Sequence, residues 1–443
     1  MCGINFSFDE TKLPLMNERI AHRGIRSKIK GKLGHVRLPI QGLSNKFDGP
    51  YDYDKWRIAY VGEIYNYKSI DETANSDIEV LAKEWDENGI HSFRQFDGMW
   101  SCIIWDSSCG YYHVITDPLA KKPLYINGDL DVSSEIAPLL NNEKHVEYKR
   151  PDPFYYSCVS HFGYCMHENT PYRDIKKIPP GQHMILHKGE IIYSHNYWNL
   201  QDEAFLPAFP EDALHKAISK AVCNRMVADT GVSVLCSGGI DSSIVYQIAR
   251  NVDPDVLAIF IENGPEDAYH FDLLDAKNYI KVGLDTSEVK EVLIANEGPV
   301  DLGSMMPQYH GFKSIKEETS NPVVLSGDGA DELFLGYSRA QKYDTRYYDV
   351  FSELVYYHLP RLDKLSMRHT LELRSPFLSW DVVRIALGLN YETGKGKAVL
   401  KDLFKGILPY QIIERPKMPL RYKSPRDEGW RGNLIKLYRG LAH

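Results

Sequence analysis

No run of about 18 apolar residues occurs in this 443-residue chain, so a membrane-spanning helix is not expected. The first residues carry no basic segment leading into an apolar core, which argues against a secretory leader and makes the cytoplasm the expected location. Cysteine is sparse. The seven present, an odd number, show neither Cys-x-x-Cys nor the Cys/His spacing of zinc sites, so a disulfide framework and a structural zinc are both disfavoured. Basic tracts are missing as well: the lysines at 28, 30 and 32 form a short stretch broken by Gly31, and a formal charge of -8 leaves no global face for nucleic acid. The pattern Gly-x-x-x-x-Gly-Lys-Ser/Thr appears nowhere, which weighs against kinases and motor ATPases of that class. There is no internal repeat and no low-complexity segment.

What is present is ordinary globular material, 43% apolar and 25% charged, in a chain long enough for two or three domains. In the first third, apolar runs at 57–61, 101–105 and 111–115 read as strands. Between them Ile78, Leu81 and Trp85 recur at helical spacing behind Ser76, which predicts a capped amphipathic helix. A polar, Pro-bearing stretch at 141–153 interrupts this part, and 201–210 reads as a linker. Beyond it, 211–228, 232–236, 242–251 and 256–261 read as helix, strand, helix, strand, the signature of a parallel sheet with crossover helices. The expected domains are 2–200, mixed α and β, and 211–443, α/β.

The most informative segment is Val232-Ser-Val-Leu-Cys-Ser-Gly-Gly-Ile-Asp-Ser-Ser243, a strand running into a glycine turn that opens a helix. Gly238 and Gly239 let the backbone approach a ligand closely, and Ser237, Ser242 and Ser243 add hydroxyls beside the free amides of a helix N-terminus, a combination suited to pyrophosphate. Asp241 would oppose that anion unless a cation intervened, which points to magnesium shared with substrate phosphates. Read alone, the segment is also compatible with a Gly/Ser turn and a capping Asp. A second loop, Val323-Val-Leu-Ser-Gly-Asp-Gly-Ala-Asp-Glu-Leu-Phe-Leu-Gly-Tyr337, again follows an apolar strand with glycines and acids; outside this context its acids would be ordinary turn and helix-start residues.

The first loop resembles the Ser-Gly-Gly-x-Asp-Ser loop of N-type ATP pyrophosphatases, and the second is similar to a signature of asparagine synthetases. Leu362-Asp-Lys-Leu-Ser-Met-Arg-His-Thr-Leu-Glu-Leu-Arg-Ser-Pro-Phe-Leu378, then 397–404, Leu408-Pro409 and Arg415-Pro-Lys417 follow in that family's order. At the other end Met1-Cys2-Gly3-Ile4, Ala21-His-Arg-Gly24, Gly34-His-Val-Arg-Leu38, Gly62-Glu-Ile-Tyr-Asn66, Asn75-Ser-Asp77, Phe96-Asp-Gly-Met99 and 117–125 resemble class II glutamine amidotransferases, which are N-terminal-nucleophile hydrolases. The resemblance spans roughly residues 2–430. It implies an α+β N-terminal-nucleophile hydrolase domain of sandwiched antiparallel sheets, followed by an α/β domain with a parallel sheet of the ATP pyrophosphatase type.

It also implies roles. Once Met1 is removed, Cys2 would be nucleophile and its own α-amine the base, since such an amine titrates at roughly 7.7 to 8.0. Arg37 would pair with glutamine's carboxylate, Glu63 and Asp77 with its amino group, and the Gly62 amide with the oxyanion. ATP would lie against Leu235, Ser237, Gly238, Gly239, Asp241, Ser242, Ser243, Ser326, Gly327 and Lys417, with Mg2+ on Asp241 and Asp331. Lys397 would neutralise phosphate charge, Asp328 would process the aminated intermediate, and Glu372 and Arg374 would stand at the polar positions of the synthetase site. The implied reaction takes ammonia from glutamine through an enclosed passage to an aspartate activated as its adenylate, giving asparagine, AMP and pyrophosphate. The implied partners are glutamine, aspartate or another small carboxylate, and ATP, with no nucleic acid and no membrane, and a homodimer as one arrangement.

This chain departs from the family pattern in places. Val61 stands where Asn usually supplies a second oxyanion donor, a loss worth about 2.7 to 4 kcal/mol of transition-state stabilisation. Ile25-Arg26 replaces Pro-Asp, Thr116 replaces Arg, Ser379 replaces Asp, and Asp328 replaces a common Glu. Alternative readings are therefore an amidotransferase with another carboxylate acceptor, a synthetase using ammonia alone with a vestigial first domain, and a binding or regulatory protein without glutamine turnover.

Overall fold

The computed structural model describes residues 2–140, 150–199, 211–262, 264–283, 287–416 and 430–441. The expected linker at 201–210 lies outside them, as does most of the Pro-bearing stretch.

The apolar runs of the first third are strands of two antiparallel sheets. One has the order β10 (Ile175–Lys177), β8 (Tyr125–Asn127), β9 (Val132–Ser133), β1 (Gly3–Phe6), β3 (Leu33–Arg37), β2 (Arg26–Lys30). The other runs β12 (Glu190–Asn196), β11 (Gln182–His187), β7 (Tyr112–Thr116), β6 (Gly98–Asp106), β5 (Trp56–Ile64), β4 (Tyr51–Tyr53). Ile4, Phe6 and Leu33 from the first meet Ala59, Val61, Ile103 and Val114 from the second in one apolar layer, the packing that alternating side chains of two stacked sheets dictate. The helix Asp77–Asn88 lies where its periodicity predicts, with Ile78, Leu81 and Trp85 buried against β5. Ser76 occupies its N-cap position without a capping bond, its hydroxyl turned to Asp77 Oδ1 at 3.3 Å.

In the C-terminal half, β13 (Val232–Leu235), β14 (Leu257–Ile261), β15 (Tyr279–Val282), β16 (Val323–Leu325) and β17 (Glu372–Arg374) form a parallel sheet of order β15-β14-β13-β16-β17. The chain lays strands to one side of β13 and then returns to build β16 on the other. That reversal opens a crevice beyond the carboxyl ends of β13 and β16, the usual ligand position in such sheets. Among the described residues no helix is long and apolar enough to cross a membrane.

The two halves meet over buried charge as well as apolar surface. Trp198 and Trp380 pack at a 4.4 Å centroid separation. Arg23 bridges Glu135 and Asp363, each at 2.8 Å, and Lys122 reaches Asp363 at 3.0 Å. Burial works against the charge of Glu135, but His22 and Arg23 outweigh it and hold its carboxyl down at about 2; burial likewise opposes ionised Asp363, and Arg23 and Lys122 hold it below the ordinary range. A carboxyl whose pKa is lower folded than unfolded contributes stability that is present above the unfolded value, about 4.3 for Glu, and is lost as pH falls through the folded one. The thermal midpoint is therefore expected to drop between roughly pH 4.5 and 2, with Glu135→Gln flattening that part of the curve.

Candidate functional site

Two separate cavities gather most of the residues singled out by sequence. In the N-terminal half, Cys2, Arg37, Gly62, Glu63 and Asp77 line a single cavity, with His35, Gln41 and Tyr60. Cys2 immediately precedes β1 and is 8% exposed. Gly62 is in β5 at φ +135°, and a Cβ there would fall 1.9 Å from the Met99 carbonyl oxygen on β6. No other residue fits that approach, which keeps the backbone at the cavity wall bare.

The cavity's electrostatics call for a cation. Burial pushes the Glu63 carboxyl well up, and Glu372 and Asp77 push further against the pull of Arg374. Asp77 is also raised by burial, although its Oδ2 accepts from Tyr60 Oη at 2.9 Å and from the Ile64 amide at 3.0 Å. An ammonium placed between two such carboxylates stabilises both in ionised form. Arg37 is committed on several sides: its terminal nitrogens donate to Asp48 Oδ1 (2.8 Å) and to the carbonyls of Ser44 (3.2 Å), Gln41 (2.9 Å) and Gly42 (2.7 Å). A carboxylate arriving there meets a guanidinium held rigidly. The Cys2 thiol is pushed up by burial, with Arg37 and the Leu38 amide opposing, so it needs a base to become a nucleophile. Val61 packs in the same apolar cluster as Cys2 and places no polar donor near the thiol.

The second cavity, about 690 Å³, occupies the crevice predicted by the strand order. Leu235, Ser237, Gly239, Asp241 and Ser242 reach it from the end of β13 and the start of the helix Ile240–Val252; Ser326, Gly327, Asp328 and Asp331 reach it from the loop after β16. Ser242 Oγ ties the turn by accepting from the Ser237 amide and donating to the Gly239 carbonyl, both at 3.1 Å. The loops touch closely enough that a Cβ on Gly327 would sit 2.9 Å from the Ser242 amide nitrogen.

Lys397 lies between them. Its Nζ is 2.5 Å from Asp241 Oδ2 and 2.6 Å from Asp331 Oδ1. Burial disfavours its charge, but the two carboxylates hold its pKa above the ordinary lysine value. Gly336 makes the contact possible, since a Cβ there would come within 2.0 Å of Asp331 Oδ1 and 2.4 Å of Lys397 Cε. Gly336→Ala is expected to split this group and lower turnover at this cavity by about 10²-fold, the scale of a 1 Å misplacement; steady-state turnover measured beside a circular dichroism spectrum checks it.

Some expected residues lie elsewhere. Gly238 forms the turn at φ +69° but does not line the cleft, and Ser243 is fully buried beneath it. Lys417 is outside the described residues. Glu372 and Arg374 do not line the crevice. Both are fully buried on β17, bonded to each other at 2.6 Å, with Arg374 over the Tyr65 ring and donating to the carbonyls of Arg225 and Val227. They face the N-terminal half, because side chains alternate along β17 and the pair shares one face.

Sequence reasoning gave no role to several cleft residues, although Arg415 and Glu332 stand within the motifs it singled out. Arg415 pairs with Asp267 and donates to the Ser237 carbonyl at 3.1 Å. Arg361, 4% exposed, donates to Tyr357 Oη at 2.8 Å and meets His358 Nδ1 at 3.1 Å, while its Nε is buried without a hydrogen bond. Glu332 accepts from Tyr337 Oη at 2.6 Å. An arginine in an amphipathic stretch looks like solvated surface until the fold closes over it.

Among the described residues no three acidic, His or Cys side chains cluster as metal ligands. Asp241 and Asp331 converge on one cationic nitrogen, and that pair of hard oxygen donors suits a magnesium completed by phosphate oxygens rather than a full protein cage.

A family model described as glutamine amidotransferase domain matches residues 1–198, and one described as asparagine synthase matches 213–352 and 343–442. A putative glutamine-hydrolysing asparagine synthetase of Methanocaldococcus jannaschii is 31% identical over 404 residues, 76% of either chain. A probable glutamine-hydrolysing asparagine synthetase of Acanthamoeba polyphaga mimivirus is 25% identical, covering 91% of this chain and 79% of its own. Asparagine synthetase B of Escherichia coli is 25% identical, covering 89% and 75%.

Proposed function

The chain belongs to the glutamine-hydrolysing asparagine synthetase family, and from that footing we propose that it makes asparagine from aspartate, ATP and glutamine through an aspartyl-adenylate. The observation that carries this reading is Lys397 held between Asp241 and Asp331 at the mouth of a glycine turn on a topological switch point.

In the N-terminal cavity, glutamine would set its ammonium against Glu63 and Asp77 and its carboxylate toward Arg37. The α-amine of a processed Cys2 takes the thiol proton, and the thiolate attacks the amide carbon. The Gly62 amide faces the oxyanion, ammonia leaves with a proton returned from the amine, and water hydrolyses the thioester to glutamate. With Val61 where a second donor would help, this half-reaction runs below its potential. Val61→Asn is expected to raise kcat for glutamine hydrolysis by about tenfold or more, a conservative part of the about 2.7 to 4 kcal/mol assigned to one donor; a glutamate-release assay reads it.

In the crevice, ATP would lay its phosphates over Ser237, Gly239 and Ser242. Magnesium held by Asp241 and Asp331 would supply charge neutralisation on the pyrophosphate. Lys397 moves its ammonium from the two carboxylates to phosphate oxygen, and Arg361 offers its buried Nε to the acceptor. An acceptor carboxylate oxygen attacks the α-phosphorus and pyrophosphate leaves; ammonia then attacks the acyl carbon, Asp328 takes the extra proton and AMP leaves. A small cavity bounded by Tyr65 and Met99 from one half and Leu362 and Leu373 from the other is the best candidate for part of the ammonia passage. Incubation with aspartate, ATP and glutamine, with asparagine measured by mass spectrometry, tests the proposal. Product from another carboxylate but not from aspartate would transfer the same chemistry to that acceptor, and Asp328, one methylene shorter than the common Glu, gives a reason to run the panel.

A further inference from the structure

We propose that Asp363, on the C-terminal half, is a positioning residue for Cys2, acting through Arg23; the inference rests on the glutamine-hydrolysing reading above. Arg23 is fully buried and spends each edge of its guanidinium on a different partner: Nε donates to the Cys2 carbonyl at 3.1 Å, Nη1 to Glu135 Oε1 at 2.8 Å and Nη2 to Asp363 Oδ2 at 2.8 Å. Gly3 lets it come this close, because a Cβ there would lie 2.9 Å from Arg23 Cδ. Asp363 is itself fixed by Lys122 Nζ at 3.0 Å. A planar fork held at three points cannot pivot, so the carbonyl of the nucleophile residue, and with it the direction of its thiol and amine, is set by a carboxylate of the other half. The same helix, Leu359–Arg368, places Arg361 in the wall of the ATP crevice two residues earlier. One rigid element therefore touches the crevice at Arg361 and the nucleophile, through Arg23, at Asp363.

Removing the charge of Asp363 weakens the Nη2 anchor and leaves Glu135 as the charged partner of Arg23, so the fork is held less firmly against the Cys2 carbonyl. Since a 1 Å displacement of a reacting group can cost about 10²-fold, Asp363→Asn in the full chain is expected to slow alkylation of Cys2 by the glutamine analogue 6-diazo-5-oxonorleucine at least about tenfold. The kcat for glutamine hydrolysis should fall by the same factor with KM for glutamine within twofold, and AMP formation driven by ammonium within twofold. Arg23→Met should reproduce the effect, and the double variant should be no slower than Arg23→Met, because both changes break one chain of contacts. Alkylation of Asp363→Asn within twofold of the unaltered protein overturns the proposal, as does a parallel fall in ammonium-driven turnover, which would make Asp363 a brace for the whole fold. An unaltered protein whose Cys2 alkylates but which hydrolyses no glutamine sinks the glutamine-hydrolysing reading and leaves the alkylation comparison to decide Asp363. A Cys2 that resists alkylation in the unaltered protein overturns both.

Discussion

Lys397→Met is expected to lower AMP and pyrophosphate formation by roughly 10²- to 10³-fold, the effect of removing one electrostatic stabiliser from a closed site. The lysine holds two roles. In the resting structure it keeps Asp241 and Asp331 within 2.5 and 2.6 Å of one ammonium, so its loss sets two half-buried carboxylates against each other. During reaction the same charge would face the phosphates as negative charge develops on the departing pyrophosphate. Arginine would not substitute, because Gly336 leaves room for a slim aliphatic stem and not for a planar fork. Initial rates of pyrophosphate release with aspartate and ammonium check the effect, with glutamine hydrolysis assayed in the same preparation as evidence that the chain remains folded.

Cys2→Ser is expected to remove glutamine-driven synthesis by at least about 10³-fold, while ammonium continues to drive it. A hydroxyl has no thiolate to form near neutral pH, and the α-amine is too weak a base to activate it as strongly. The crevice lies in the other half of the chain and shares no lining residue with the Cys2 cavity, so the nitrogen source is the variable that separates the two. Comparing asparagine formed from glutamine and from ammonium at equal ATP gives the ratio; an equal loss with both would mean that the two cavities do not work as independent half-sites.

The sequence carried the fold where local signals and periodicity agreed. The strands at 57–61 and 101–105, the helix behind Ser76 and the strand entering Ser237 were readable because apolar spacing and turn chemistry point the same way. The crevice was legible through glycine and acid residues that follow an apolar strand twice over. That Glu372 and Arg374 turn away from the crevice was not legible, because a motif fixes order along the chain but not which face of β17 a residue takes. Arg361 was missed, and Arg415 and the junction residue Asp363 were given no role within the motifs that contain them, for a related reason. Each is a charged side chain whose meaning comes from partners far away in sequence, and burial, which turns such a residue from solvated surface into a fixed charge, is invisible to composition and spacing.

The central claim is that the crevice joins an acceptor carboxylate to the α-phosphorus of ATP. Aspartate labelled with 18O in its side-chain carboxylate, incubated with ATP and ammonium, tests it directly. Transfer of one labelled oxygen into AMP, with asparagine retaining the other, is the predicted result. Labelled orthophosphate with ADP would place the attack on the γ-phosphorus and contradict the account.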